Sequence, residues 1–295
     1  MRIENDSGLS DLLASEETRR CYGFTFTEGP VWIVTDGCLL FSDIPGNRVH
    51  RWRPGWSEAE VYRDPSGHAN GLTLDHAGNV LACEHSGRRV SIGAYNAPAE
   101  TLVDGFEGAR FNSPNDLVVH SSGAVYFTDP TYGERADMGS VTGRELDFQG
   151  VYRLATLGTL TQLSAAFTQP NGLCFSPDET VLYIGDSANR TIRRFNVDEV
   201  GLIDGGELFV DMRGDDRRGA PDGMKVDEDG RLWTTGAGGV WVIDPDGVVL
   251  GQFEMAEHAA NIAFGGPDFS TLYLTAQTSV YSIETRVRGI GPGSR

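Results

Sequence analysis

The sequence predicts an all-β chain folded as a six-bladed β-propeller. Three observations carry this expectation. A strand–turn–strand unit recurs six times, its copies begin roughly 40 to 55 positions apart, and alternating apolar segments fill the intervals. Propeller blades of four strands repeat at about that length.

Each copy opens on an Asn, Asp or Glu, passes through an apolar strand and a polar turn, and ends in a second apolar strand. The clear copies run over Asn70–Glu84, Asn115–Asp129, Asn171–Asp186, Asp222–Thr235 and Asn261–Thr275, and a degenerate first copy runs over Glu28–Asp43. Further strands are predicted between them at Arg48–Trp52, Gly150–Leu154, Thr191–Phe195, Gly239–Ile243 and Ser279–Ile283. Helical periodicity competes only near Leu9–Thr18, where a short helix is expected. The 38 glycines suit a fold rich in tight turns, because glycine adopts positive φ without a steric penalty.

The whole of 1–295 is expected to form one propeller domain, with 1–22 as an N-terminal extension and 286–295 as a tail. Two stretches read as insertions, Glu107–Asn112 and Thr131–Gln149. The longer one reads either as a lid or as a solvated excursion.

A net charge of −18 disfavours nucleic acid, whose phosphates need clustered Lys and Arg. Most of these carboxylates are expected to be solvated, with a few converging on a cation. Cys21, Cys38, Cys83 and Cys174 show no metal-ligand spacing and read as reduced, buried thiols of a cytoplasmic protein. Met1–Arg20 lacks the apolar run of a signal peptide, and no stretch reaches transmembrane length, so no membrane association is expected. A monomer or homodimer is expected. No Gly-x-Ser-x-Gly elbow and no phosphate-binding glycine pattern appears.

Equivalent positions of propeller repeats face the central channel. The six opening residues are Glu28, Asn70, Asn115, Asn171, Asp222 and Asn261. All carry side-chain oxygens. Turn preference alone explains any one of them, but the same choice in six copies points to a shared oxygen site with two carboxylates. Such a set suits Ca2+, Mg2+ or Mn2+ better than zinc. Glu28, Asn115, Asn171 and Asp222 are the first choice of ligands, with Asn70 and Asn261 second.

The motifs Phe26–Trp32, Arg110–Leu117, Gln169–Leu173 and Pro221–Met224 resemble those of the gluconolactonase, regucalcin and luciferin-regenerating-enzyme family. The likeness runs from about Phe24 to Tyr281. His68–Leu72 and Tyr126–Gly133 resemble its bacterial sugar-lactonase branch. The resemblance implies a six-bladed propeller and a metal held by Glu28, Asn171 and Asp222. It implies that Asn115 binds substrate and sometimes metal, and that Arg110 contacts substrate. The implied cofactor is one divalent cation, most often Ca2+, with Zn2+, Mg2+, Mn2+ or Fe2+ in some members.

These readings converge on metal-assisted opening of a sugar lactone, such as an aldono-1,5-lactone, to its acid. Asp222 is the candidate base, with a pure ligand role as the alternative. Arg110, Asn115, Tyr132, Asn70 and His68 are the candidate substrate contacts; His68 reads equally as a strand-edge histidine bonded to backbone. The alternatives in function are a hydrolase of another lactone, ester or phosphoester, and a non-catalytic calcium-binding propeller.

Overall fold

A computed structural model describes residues 1–292. It contains six antiparallel sheets of four strands or more and one two-stranded hairpin; strands run in chain order from the innermost outward, except that Arg2–Glu4 and Thr18–Tyr22 form the outermost strands of two sheets. Blade 1 comprises Thr27–Ile33, Cys38–Asp43, Arg48–Trp52 and Glu60–Arg63; blade 2 comprises Ala69–Leu74, Val80–Glu84, Arg89–Gly93 and Glu100–Val103. Blade 3 comprises Leu117–Val119, Val125–Asp129, Gly150–Leu154 and Leu160–Ser164; blade 4 comprises Pro170–Phe175, Val181–Asp186, Thr191–Val197 and Ile203–Asp211. Blade 5 runs Met224–Val226, Leu232–Gly236, Gly239–Ile243 and Val249–Glu254, and blade 6 begins Ala259–Gly265, Thr271–Ala276 and Ser279–Glu284. The predicted all-β propeller of six blades is the fold found. No helix among the described residues is long and apolar enough to cross a membrane.

The N-terminal segment is built into the ring. Thr18–Tyr22 pairs with Ser279–Glu284 as the outer strand of blade 6, and Arg2–Glu4 pairs with the edge of blade 5. The helix expected near Leu9–Thr18 is reduced to one 3-10 turn at Ser10–Leu12. Leu9 and Leu13 are buried among Trp233, Phe253 and Tyr281 instead, so tertiary burial overrides the local pattern. At the other end, the amide of Ile290 donates to Val226 O at 3.2 Å, and Asp227 bridges to Gly289. Residues 286–292 therefore pack against blades 5 and 6, with the Gly289 amide donating to Phe269 O at 2.9 Å; the rest of the predicted tail lies outside the described residues. All four cysteines are buried and none forms a disulfide among the described residues.

The opening residue of each repeat sits where its inner strand begins. In blades 1, 2, 4 and 6 the register slips there, between Glu28 and Val31, Ala69 and Leu72, Pro170 and Leu173, and Ala259 and Asn261. A bulge of this kind bends the strand and re-aims a side chain. The glycine that follows has its own reason. A Cβ on Gly172 would lie 2.0 Å from the carbonyl oxygen of Asp222 in the next blade, and one on Gly29 would lie 1.9 Å from that of Asn70. The second strand completes the junction: Ser42 Oγ donates to Asn70 O at 2.7 Å and Thr128 Oγ1 to Asn171 O at 2.9 Å. Gly172→Ala is expected to force adjacent blades apart and to cost about 3 kcal/mol, a fall in Tm of roughly 6–10 °C by circular dichroism. An unchanged Tm would refute this account of the repeat.

The acids that close several repeats are clasps. Asp129 accepts the amides of Asn112 and Ser113 at 2.8 Å each, and Asp186 accepts those of Thr168 and Gln169 at 2.9 and 3.2 Å. These carboxylates satisfy backbone donors that the bends leave unpaired.

Candidate functional site

The opening residues converge on one end of the channel. There a cavity of about 260 Å3 is lined by Glu28, Asn70, Asn115, Asn171 and Asp222, with Tyr132, His85, Ser187 and His258 among the remaining walls.

The asparagines form a chain of amides. Asn70 Nδ2 donates to Asn115 Oδ1 at 2.5 Å, Asn115 Nδ2 donates to Asn171 Oδ1 at 2.6 Å, and Asn171 Nδ2 donates to Ser187 Oγ at 2.9 Å and Tyr132 OH at 3.3 Å. Each bond fixes which way an amide points. An amide oxygen has two lone pairs, so Asn115 and Asn171 each keep one after accepting this bond. On the far side, Asn261 Nδ2 donates to Glu28 Oε2 at 2.9 Å, and the Gly29 amide donates to the same oxygen at 2.8 Å. Glu28 Oε1 receives no hydrogen bond among the described residues.

The electrostatics are unbalanced. Burial pushes the Glu28 carboxyl up to about 7. It pushes Asp222 well above the carboxylate range too, with Glu28 and then Asp116 adding repulsion. Asp116 is 4% exposed, and its Oδ2 has no hydrogen-bond partner among the described residues. The opposing charge is Lys225, the one lysine of the chain, which only partly relieves Glu28 and Asp116. Buried carboxylates normally carry a paired cation or a metal. Two anionic and two amide oxygens with surplus negative charge form the kind of donor set that hard divalent cations bind. No group of three or more His, Cys, Asp and Glu gathers among the described residues, because half of this donor set is amide.

Of the residues singled out from sequence, Glu28, Asn70, Asn115, Tyr132, Asn171 and Asp222 line the cavity together. Asn261 stands behind Glu28. Arg110 and His68 are not among the lining residues. The Arg110 guanidinium is turned onto the backbone, with Nη2 donating to Gly87 O at 2.6 Å, in the small hairpin Gly105–Phe106/Ala109–Arg110. His68 has a left-handed backbone (φ 52°), and its Nδ1 lies 2.9 Å from Ser86 Oγ. Asn112 is buried and its Nδ2 donates to the Asp129 and Phe148 carbonyls.

Among the lining residues that sequence reasoning missed are Ile44, His85 and Ser187. Each directly follows a second-strand acid, Asp43, Glu84 or Asp186. That register was the signal available. His85 is fully buried, with Nδ1 2.9 Å from Met138 O and Nε2 3.4 Å from Asn70 Nδ2. Burial lowers its pKa to about 4, so the ring is neutral. Nδ1–H therefore donates to the Met138 carbonyl, which leaves Nε2 as acceptor for the Asn70 amide.

The 131–149 insertion is a wall of this cavity. Tyr132, Arg135 and Met138 all face it, and Arg88, itself 8% exposed, reaches Glu145 at 3.1 Å. The lid reading was thus nearer than the solvated excursion.

Comparison with known proteins agrees with this architecture. Residues 26–278 match the model of the SMP-30/gluconolactonase/LRE-like region. The chain belongs to this family. It is 34% identical over 286 residues to a gluconolactonase of Zymomonas mobilis, covering 90% of this chain and 80% of that protein. It is 33% identical to a pentonolactonase of Haloferax volcanii, covering 84% and 80% respectively. A solved gluconolactonase from Xanthomonas campestris superposes with a TM-score of 0.89 at 32% identity, over 96% of this chain and 94% of that one. The resemblance drawn from four sequence motifs was therefore correct at family level.

Proposed function

We propose that this family member is a metal-dependent lactonase that opens a sugar lactone, of the aldono-1,5-lactone type, to the corresponding acid. The observation that carries the proposal is the pairing of buried, charge-uncompensated Glu28 and Asp222 with aligned amides in one cavity. The sugar-lactone activities named for its relatives support the substrate class.

Glu28, Asn115, Asn171 and Asp222 would hold the cation, most often Ca2+ in this family. When bound, it supplies Lewis-acid polarisation of the lactone carbonyl. The residues supply the rest. Asp222 accepts a proton from the water that adds to the carbonyl carbon. The ring C–O bond then breaks, and the departing alkoxide takes a proton, giving a hydroxy acid. The neighbouring Asn171 amide favours the charged form of Asp222. Burial holds the Tyr132 phenol neutral, so it offers a hydrogen bond to a sugar oxygen rather than a charge. Asn70 holds Asn115 in place, and His85 in turn accepts from Asn70. The cavity is near the low end for ligand sites and suits a monosaccharide-sized substrate.

The test is proton release from D-glucono-1,5-lactone and pentonolactones, with and without chelator. Cation-dependent opening well above the buffer rate is expected. If Ca2+, Zn2+, Mg2+ and Mn2+ all leave the rate at the buffer value, the proposal fails.

A further inference from the structure

The cavity carries one guanidinium, that of Arg135, which the opening of a neutral lactone leaves unused. It comes from the 131–149 strap, which is fixed in place. Ser113 Oγ accepts the Gly133 amide at 2.9 Å and donates to Pro130 O at 2.6 Å; Val141 N donates to Gly133 O at 2.7 Å, and Met138 O is held by His85. A Cβ on Gly133 would lie 2.6 Å from Ser113 Cβ, so the strap is packed at contact distance. The positions of Tyr132, Arg135 and Met138 along the cavity are therefore set by packing.

Arg135 is the one cationic side chain among the lining residues apart from the histidines. Its sole ion pair is Nη2 to Asp137 Oδ2 at 2.9 Å, with the two side chains 59% and 52% exposed. Such exposed pairs are weak and easily exchanged. A guanidinium has five N–H donors in a planar fork, and the others find no partner among the described residues. Arg110, expected to meet substrate, is committed to Gly87. Glu28 and Asp222 lie on the same cavity and repel anions from the ligand end. Its two sets of charges thus orient a dipolar substrate.

We infer that the preferred substrate is a sugar lactone bearing a second, anionic group away from the ring carbonyl, a carboxylate, phosphate or sulfonate that Arg135 binds. This rests on the lactonase proposal. The carbonyl then faces Glu28, Asn171 and Asp222, and the anion faces the strap. Arg135 is a specificity residue; the bond-breaking steps do not pass through it. Bidentate guanidinium recognition suits all three anions.

The test compares kcat/KM for 6-phospho-D-glucono-1,5-lactone, D-glucaro-1,4-lactone and neutral D-glucono-1,5-lactone, each corrected for spontaneous opening. The wild-type chain is expected to favour at least one charged lactone over the neutral one by about tenfold, and the preference should shrink as salt rises. Arg135→Gln should lower the charged-to-neutral ratio about tenfold, and Asp137→Asn, which frees the guanidinium, should raise it severalfold. Which charged lactone responds separates phosphate from carboxylate. The inference is overturned if the wild type favours the neutral lactone, or if Arg135→Gln lowers all rates by one factor; the lactonase proposal then stands. If no lactone opens at all, that proposal falls and takes this one with it.

Discussion

Asp222→Asn should lower kcat/KM for lactone opening by at least about 10^3, because it removes an anionic donor and the proton acceptor together. The same substitution should make the chelator-treated protein more stable. In the wild-type chain, burial and the nearby Glu28 and Asp116 hold the Asp222 carboxyl far from its ordinary ionisation. An amide of equal shape carries none of that cost. Thermal unfolding should therefore give a higher Tm for the chelated variant than for the chelated wild type, and a much smaller rise when Ca2+ is restored. An inactive variant with a lowered Tm would point to mere misfolding. Retention of more than a tenth of the activity would remove Asp222 from both roles.

The second large effect concerns pH. Burial raises the Glu28 carboxyl from 4.5 to about 7 in the folded chain. The folded state thus keeps a proton that the unfolded state releases, so this contribution is fully present below about pH 4.5 and is lost as pH climbs through 7. For Glu28 alone the loss approaches roughly 3 kcal/mol, and Asp222 acts in the same sense. Asp129, also near 7 through burial, adds to the slope but lies in a clasp away from the cavity. The useful quantity is therefore the difference between samples with and without cation. Chelated protein should melt progressively lower from pH 5 to pH 8, and the rise on adding Ca2+ should grow over that range. At a hundred times the Kd the cation adds about 2.7 kcal/mol, roughly 5–10 °C in a chain of this size. A Ca2+-induced rise that is larger at pH 5 than at pH 8 would contradict the assigned donors.

The propeller was legible because each blade repeats the same local problem. A bulged inner strand, a glycine under the next blade's carbonyl and a clasping acid must recur wherever a blade recurs. The cavity-lining carboxylates and amides were legible for the same reason, since Glu28, Asn115, Asn171 and Asp222 share one register. Arg110 and His68 lie beside the motifs yet are not among the cavity's lining residues, because adjacency in sequence does not fix where a side chain points. One residue either way along a bend reverses where a side chain points, as Arg110 shows by turning onto Gly87. The closure of blade 6 was hidden because nothing local in Thr18–Tyr22 specifies Ser279–Glu284 as its partner. The strap's role depended on buried anchors, His85 and Ser113, whose partners are again distant in sequence.

That closure sets the order in which the protein can be completed during synthesis. Arg20 and Ser282 hydrogen-bond across 262 positions, so at about 5–20 residues per second the strand Thr18–Tyr22 waits roughly 15–50 s for its partner. The same seam separates Glu28 in the first blade from Asn261 in the last, joined at 2.9 Å. A ribosome-bound chain lacking its final blade therefore holds Glu28 without its amide neighbour. Under the proposed function, cation capture and catalytic competence would arrive together with the last strands to leave the ribosome, and termination before blade 6 would leave an open ring with an incomplete centre.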